Sequence, residues 1–187
     1  MKETFLTLSF IISLACFGQV EKSCQDEILY EKGMAIKEIV YNDSLYFSHS
    51  SKEKKAEAKR TAEMASKKAL IYFDQLIAEF PKSQFLILAL YEKGILENNL
   101  GNDKIAKDYF IKVVNFEILG KEYYKAKSLI ILASMAIQEK DFKQAMIYLN
   151  ERKKKGFASF CGNDIALSEM QMKNMFDVCT TALKTKN

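Results

Sequence analysis

The sequence predicts an all-α fold of paired helices stacked one after another, and three observations predict it. From Glu21 onward the apolar residues recur at spacings of three and four, with no sustained alternation of period two. The 187 residues include one Pro and seven Gly, too few turn formers for many short strands and too few for a linker or a collagen. Leu29-Tyr30-Glu31-Lys32-Gly33 recurs identically as Leu90-Tyr91-Glu92-Lys93-Gly94, the mark of one structural unit used twice. At 49% hydrophobic residues the chain can also bury a core, which disordered chains cannot.

The first element is a short charged start, Met1-Lys2-Glu3, followed by an apolar run from Phe5 to Ala15 and then Cys16-Phe17-Gly18-Gln19. That layout is expected of a secretory signal peptide over residues 1–18, with Cys16 and Gly18 at the small-residue positions of a cut before Gln19. The run falls short of the roughly 20 apolar residues a membrane span needs. Ser13-Leu14-Ala15-Cys16 also allows a bacterial lipobox with Cys16 as a lipid anchor, and a first core helix is the bland alternative. Residues 19–187 are expected to form a single helical domain in the periplasm or cell envelope.

The repeat units follow. Gly94 is trailed by the turn Gly101-Asn102-Asp103, then Ala106 and Phe110. Ala133 opens a third copy with a turn at Lys140-Asp141, then Ala145 and Leu149. A half-copy runs through Ala69, Phe73, Leu76 and Ile77 to Phe80-Pro81-Lys82-Ser83, where the residue before Pro avoids the helical region and the helix stops. Gly33 lies 36 residues before Ala69 where twelve are expected, an insertion of about 24 residues. The irregular part is placed at 42–59: a loop from Asn42 to Ser51, then a charged helix from about Lys52 that continues into Phe80. Arg152-Lys153-Lys154-Lys155-Gly156 ends a helix with cations on its C-terminal dipole and Gly as the stop. Asn163-Asp164 read as the cap of a last helix, 164–184, whose stripe Ile165, Met172, Phe176, Cys179 and Leu183 suits a cover for the stack. Met170, Met172 and Met175 are expected to pack rather than to form a pliable binding face.

These positions resemble the tetratricopeptide repeat, the 34-residue helix-turn-helix unit, over about Gln25 to Gly156. The resemblance implies about three helical-hairpin repeats in a solenoid, and its irregular spacing and Phe-Pro-Lys-Ser ending are similar to envelope assembly and cell-division lipoproteins of bacteria. It further implies that first helices line a concave groove and contact a protein or peptide. Counted from Gly33, the contacting positions are Tyr30, Met34, Lys37 and Glu38; from Gly94, Tyr91, Ile95, Asn98 and Asn99; from Ala133, Ile130, Ser134, Ile137 and Gln138. Tyr offers apolar area with a hydroxyl, and Asn or Gln can bond an extended backbone through donor and acceptor. The clamp that some family members use for chaperone tails wants Lys and Asn where this chain has Tyr91 and Ile95, so that activity is not expected.

Catalytic and cofactor chemistry lacks a constellation. His49 is the sole histidine, with no Cys or carboxylate at metal-ligand spacing, and the glycines are too dispersed for a phosphate loop. No cofactor, no metal and no enzyme activity are expected; Cys24, Cys161 or Cys179 working with His49 is the remaining catalytic reading. The net charge is +4 and Arg60 and Arg152 are the only arginines, which disfavours nucleic acid. Cys161 and Cys179 would stand on the order of 24 Å apart along one helix, too far for a disulfide, and buried free thiols are expected instead. The expected function is a non-catalytic interaction module exported to the bacterial envelope. An immunity or inhibitor protein against a cognate toxin, or a lipoprotein subunit of an outer-membrane assembly, is the alternative.

Overall fold

The computed structural model describes residues 24–46, 51–117, 122–155 and 162–185. Among them are seven helices: α1 Gln25–Tyr46, α2 Lys52–Glu79, α3 Leu86–Asn99, α4 Asp103–Val114, α5 Glu122–Gln138, α6 Phe142–Lys155 and α7 Gly162–Lys184. The all-α expectation holds over these residues. The chain divides into two compact units, Met1–Leu86 and Ile87–Asn187. The amino-terminal segment, with Cys16, lies outside the described residues, as do His49, Gly156 and Cys161.

The first unit is a long hairpin of α1 and α2. Asp26, in the first turn of α1, accepts a 2.6 Å hydrogen bond from the Ser83 hydroxyl beyond the end of α2, while one α-helical stretch on, Gly33 meets Phe73. Ser83 in turn accepts from the Phe85 backbone N–H at 3.0 Å, so this buried hydroxyl ties the start of α1 to the approach to α3. α2 stops at Glu79, before Pro81, as the sequence predicts. One boundary differs: α1 runs through Tyr46, so residues 42–46 are helix rather than loop. Asn42, Asp43 and Ser44 are weak helix formers, but extending an existing helix costs only a few tenths of a kcal/mol per residue, whereas starting one is expensive.

The second unit pairs α3 with α4 through Gly94 and Phe110. Ala106 and Phe110 then join Leu132 and Met135 of α5, and α5 joins α6 through Ala133, Ala136, Ala145 and Leu149. The α3–α4 and α5–α6 turns close in the same way. Gly101 takes φ +81° and Lys140 takes φ 61°; the Asn102 N–H donates to Glu97 O at 2.9 Å and the Asp141 N–H to Ala136 O at 2.8 Å. This is the left-handed helix stop that satisfies orphan carbonyls. Asp141 then caps α6 by accepting from the Gln144 N–H at 3.0 Å.

α7 begins at Gly162, so Asn163 and Asp164 sit in its first turn, where an acid suits the dipole, rather than at the cap. Of the expected stripe, Met172, Phe176 and Cys179 pack on the buried core, while Ile165 and Leu183 are half-buried. Cys179 is fully buried with Ala133, Ala136, Ala145 and Leu149, and Met172, Met175 and Phe176 pack around it. Met170 departs from the expectation and is 56% exposed.

The glycines of the repeated pentapeptide have one role. A Cβ at Gly33 would lie 2.6 Å from Phe73 Cε1, and one at Gly94 would lie 2.8 Å from Phe110 Cε1. Both rings are fully buried and have no room to retreat. In the third pair the small residue is Ala133 and the opposing side chain is the smaller Leu149. Gly94→Ala is therefore expected to lower stability by about 1 kcal/mol in urea unfolding, because overpacking of about 1–3 kcal/mol exceeds a helix-propensity gain of about 1 kcal/mol. In a Phe110→Leu background the same change is expected to be neutral or stabilising; an equal loss in both backgrounds would sink the steric account. Lys140→Gly is expected to raise stability by about 1 kcal/mol by removing the left-handed penalty, read as a shift of the urea midpoint at constant slope.

Candidate ligand cleft on the second unit

The second unit carries a cleft of about 270 Å³ lined by Tyr91 of α3, Lys127, Ile130 and Ile131 of α5, and Leu167, Ser168 and Gln171 of α7. The lining combines three aliphatic side chains with one ammonium, two hydroxyls and one amide. No carboxylate is among the lining residues.

Tyr91 is fixed by aromatic packing, edge-on to Phe110 at 6.0 Å and to Tyr124 at 5.3 Å. Tyr123 stands perpendicular to Tyr124 at 5.4 Å, and the Lys127 ammonium lies 4.7 Å from the centre of the Tyr123 ring. Burial is the main reason the Tyr91 phenol is held well above its usual range, with Glu92, Tyr123 and Tyr124 adding to the effect. Burial likewise raises Tyr124, with help from Glu92 and Tyr123. Both phenols stay protonated donors throughout the neutral range.

The α7 wall is held by a buried cation. Arg152 is 2% exposed, and its Nη2 donates to the Ser168 hydroxyl at 3.4 Å. Burial lowers its pKa and Glu169 opposes that shift. The sequence groups Arg152 with Lys153, Lys154 and Lys155 as one basic surface run; the three lysines are exposed, whereas Arg152 turns inward against α7. A guanidinium on a helix's last turn can reach a neighbouring helix while its stem packs along apolar surface, which a run of like charges does not reveal.

Of the residues that the tetratricopeptide resemblance implies for a ligand face, Tyr91 and Ile130 line the cleft. Ile95 packs on the Ala106, Phe110, Leu132 and Met135 cluster, and Ile137 on the cluster around Ala133. Asn98, Asn99 and Gln138 are exposed at the ends of α3 and α5, and Ser134 is half-buried. In the first unit, Tyr30 is 8% exposed between Phe73 and Phe85, Met34 and Lys37 are half-buried, and Glu38 is exposed. Lys127, Ile131, Leu167, Ser168 and Gln171 are cleft residues that sequence reasoning missed. The one signal for the α7 trio is the Leu167 and Gln171 spacing of one helical turn beside the apolar stripe.

Cys179 is buried and burial pushes its thiol up, the signature of an inert cysteine. Cys24 is exposed, contrary to the expectation of buried thiols throughout. Among the described residues no group of three or more His, Cys, Asp or Glu side chains could hold a metal ion, and no helix is long and apolar enough to cross a membrane.

The raised Tyr91 pKa has a signed consequence. Between the ordinary phenol value near 10 and the higher folded value, unfolding releases a proton, so stability falls as pH rises through that window. Tyr91→Phe is expected to flatten the loss of stability above about pH 10, measured as urea midpoints against pH, and to remove one phenol from the high-pH end of the phenolate absorbance curve. An unchanged absorbance curve would contradict the burial assigned to this ring. No protein-family model, no curated protein and no solved structure matches this chain.

Proposed function

We propose that this chain is a non-catalytic interaction module of the tetratricopeptide type that holds a protein or peptide segment in the cleft formed by α3, α5 and α7. The observation that carries the reading is the meeting of Tyr91 and Ile130 in one cleft. The resemblance to the tetratricopeptide repeat implies that both residues belong to a ligand face, and they belong to different helices.

The chemistry of the lining suits a polypeptide. Ile130, Ile131 and Leu167 offer apolar surface, while the Tyr91 and Ser168 hydroxyls and the Gln171 amide offer donors and acceptors to an extended backbone. Lys127 favours a segment that carries an acidic group. Tyr91 is locked by its two aromatic neighbours before any ligand arrives, so little ordering is left for binding to supply. Residues 1–18 support export to the bacterial envelope, with anchoring through Cys16 as its lipidated form.

The test uses variants that leave the core untouched. Leu167 is 59% exposed and Gln171 is exposed, so Leu167→Asp with Gln171→Arg is expected to keep the helical circular dichroism of wild type. Partners co-purified with the wild-type chain are expected to fall about tenfold or more in yield with this double variant. Equal recovery of the same partners would show that the cleft is not the binding site.

A further inference from the structure

We propose that the outward face of the amino-terminal half of α2 docks onto an anionic lipid bilayer. The proposal concerns the first unit and does not use the cleft.

Charge is the first observation. From Lys52 to Lys68 seven basic and three acidic residues leave +4, the net charge of the entire chain, so the remaining residues are neutral as a set. Every residue from Ser51 to Glu57 is exposed, and Ala58 is the first buried position of α2. The leading turns, with Lys52, Lys54 and Lys55, are therefore open to solvent on all sides.

The second observation is apolar. Met64 is 72% exposed and Ile71 is 63% exposed, the two most exposed large hydrophobic side chains among the described residues. At about 100° per residue they share one line down the helix, opposite the buried Phe73 and about 10 Å apart. Arg60, Lys67 and Lys68 are exposed around them. Between Lys59 and Ile71 the single acidic residue is Glu63.

A convex helix face with two separated apolar side chains in a field of lysines fits a bilayer better than a protein. A protein interface needs about 800 Å² per partner around a packed apolar centre, and here two apolar side chains about 10 Å apart stand among exposed cations. A bilayer surface asks for less: shallow insertion of Met64 and Ile71, with lysine stems lying along the interface and their ammonium groups at the level of anionic headgroups. Nucleic acid is disfavoured because Arg60 is the only fork-shaped cation on the face.

The experiment is co-sedimentation of the full chain with phosphatidylcholine vesicles, pure or with about a third phosphatidylserine. Binding is expected to be about tenfold stronger to the anionic vesicles and to be lost at high salt. Arg60→Glu with Lys67→Glu and Lys68→Glu is expected to abolish the preference, and Met64→Ser with Ile71→Ser to weaken anionic binding about threefold or more at fixed salt. All five positions are exposed or face solvent, and circular dichroism checks that each variant stays folded. Equal binding to both vesicle types, no binding to either, or binding unchanged by charge reversal would each overturn the proposal. Retention on soluble polyglutamate without sedimentation on vesicles would also overturn it and assign the face to an acidic protein.

Discussion

Two helices can approach only as closely as the side chains between their backbones permit, and here the approach is set by a glycine against a phenylalanine ring. Gly33 on Phe73 and Gly94 on Phe110 leave no space for a single added carbon. At Ala133 and Leu149 the small partner is one carbon larger and the large partner is a leucine in place of a phenylalanine. Other contacts depend on this spacing. Tyr30 and Tyr91, three residues before each glycine, lean on the same rings at 6.1 and 6.0 Å. Lys32 and Lys93, one residue before it, reach Tyr72 and Tyr109 at 6.0 and 4.7 Å. Lys32 is exposed over a half-buried ring, a contact of about 0.5–1 kcal/mol, and the buried Lys93 makes a stronger one of about 2 kcal/mol, whereas burying a whole phenylalanine contributes about 1.5–3 kcal/mol. The glycine contact therefore sets the geometry and the charged contacts decorate it.

The cleft is a by-product of that geometry in the second unit. Tyr91 comes to the cleft because Phe110 sits under Gly94, and its ring stands edge-on to Tyr124 beside the cleft. α7 supplies the opposite wall through a different mechanism. Its Cys179 stripe anchors it to α5 and α6, and the buried Arg152 fixes Ser168. One helix thus closes the apolar end of the stack and lends Leu167, Ser168 and Gln171 to a surface feature.

The parts of this structure that one residue type can dictate were legible in the sequence. Small residues at Gly33, Gly94, Ala69, Ala106, Ala133 and Ala145 mark helix contacts because nothing larger fits, and Pro81, Gly101 and Asp141 mark stops and starts because the backbone there demands them. What depends on the rotation of a helix about its axis was not legible. Lys127 and the α7 lining face the cleft only because α5 and α7 settle at particular rotations, which many weak contacts decide together. The two identical pentapeptides make the point locally. Tyr30 is closed off because Phe85 stacks on it at 23°, while Tyr91 stays half-exposed because Tyr124 meets it edge-on at 65°. Five identical residues fold alike, and a neighbour outside the repeat decides which tyrosine is available.

Charge and packing divide the molecule's capabilities by physical character. The Lys107 and Glu139 bridge in the second unit is short, 2.7 Å, yet its side chains are 27% and 51% exposed, so it contributes less than about 1 kcal/mol. Stability there rests on Ala, Phe, Leu and Met packing, and the cleft is lined mostly by apolar and hydrogen-bonding side chains. Neither responds strongly to salt. The excess charge sits on α2, exposed, where screening over about 10 Å at ordinary ionic strength controls it. A basic helix and a nearly neutral cleft in one chain are therefore separable in experiment, because salt silences the first and leaves the second in place.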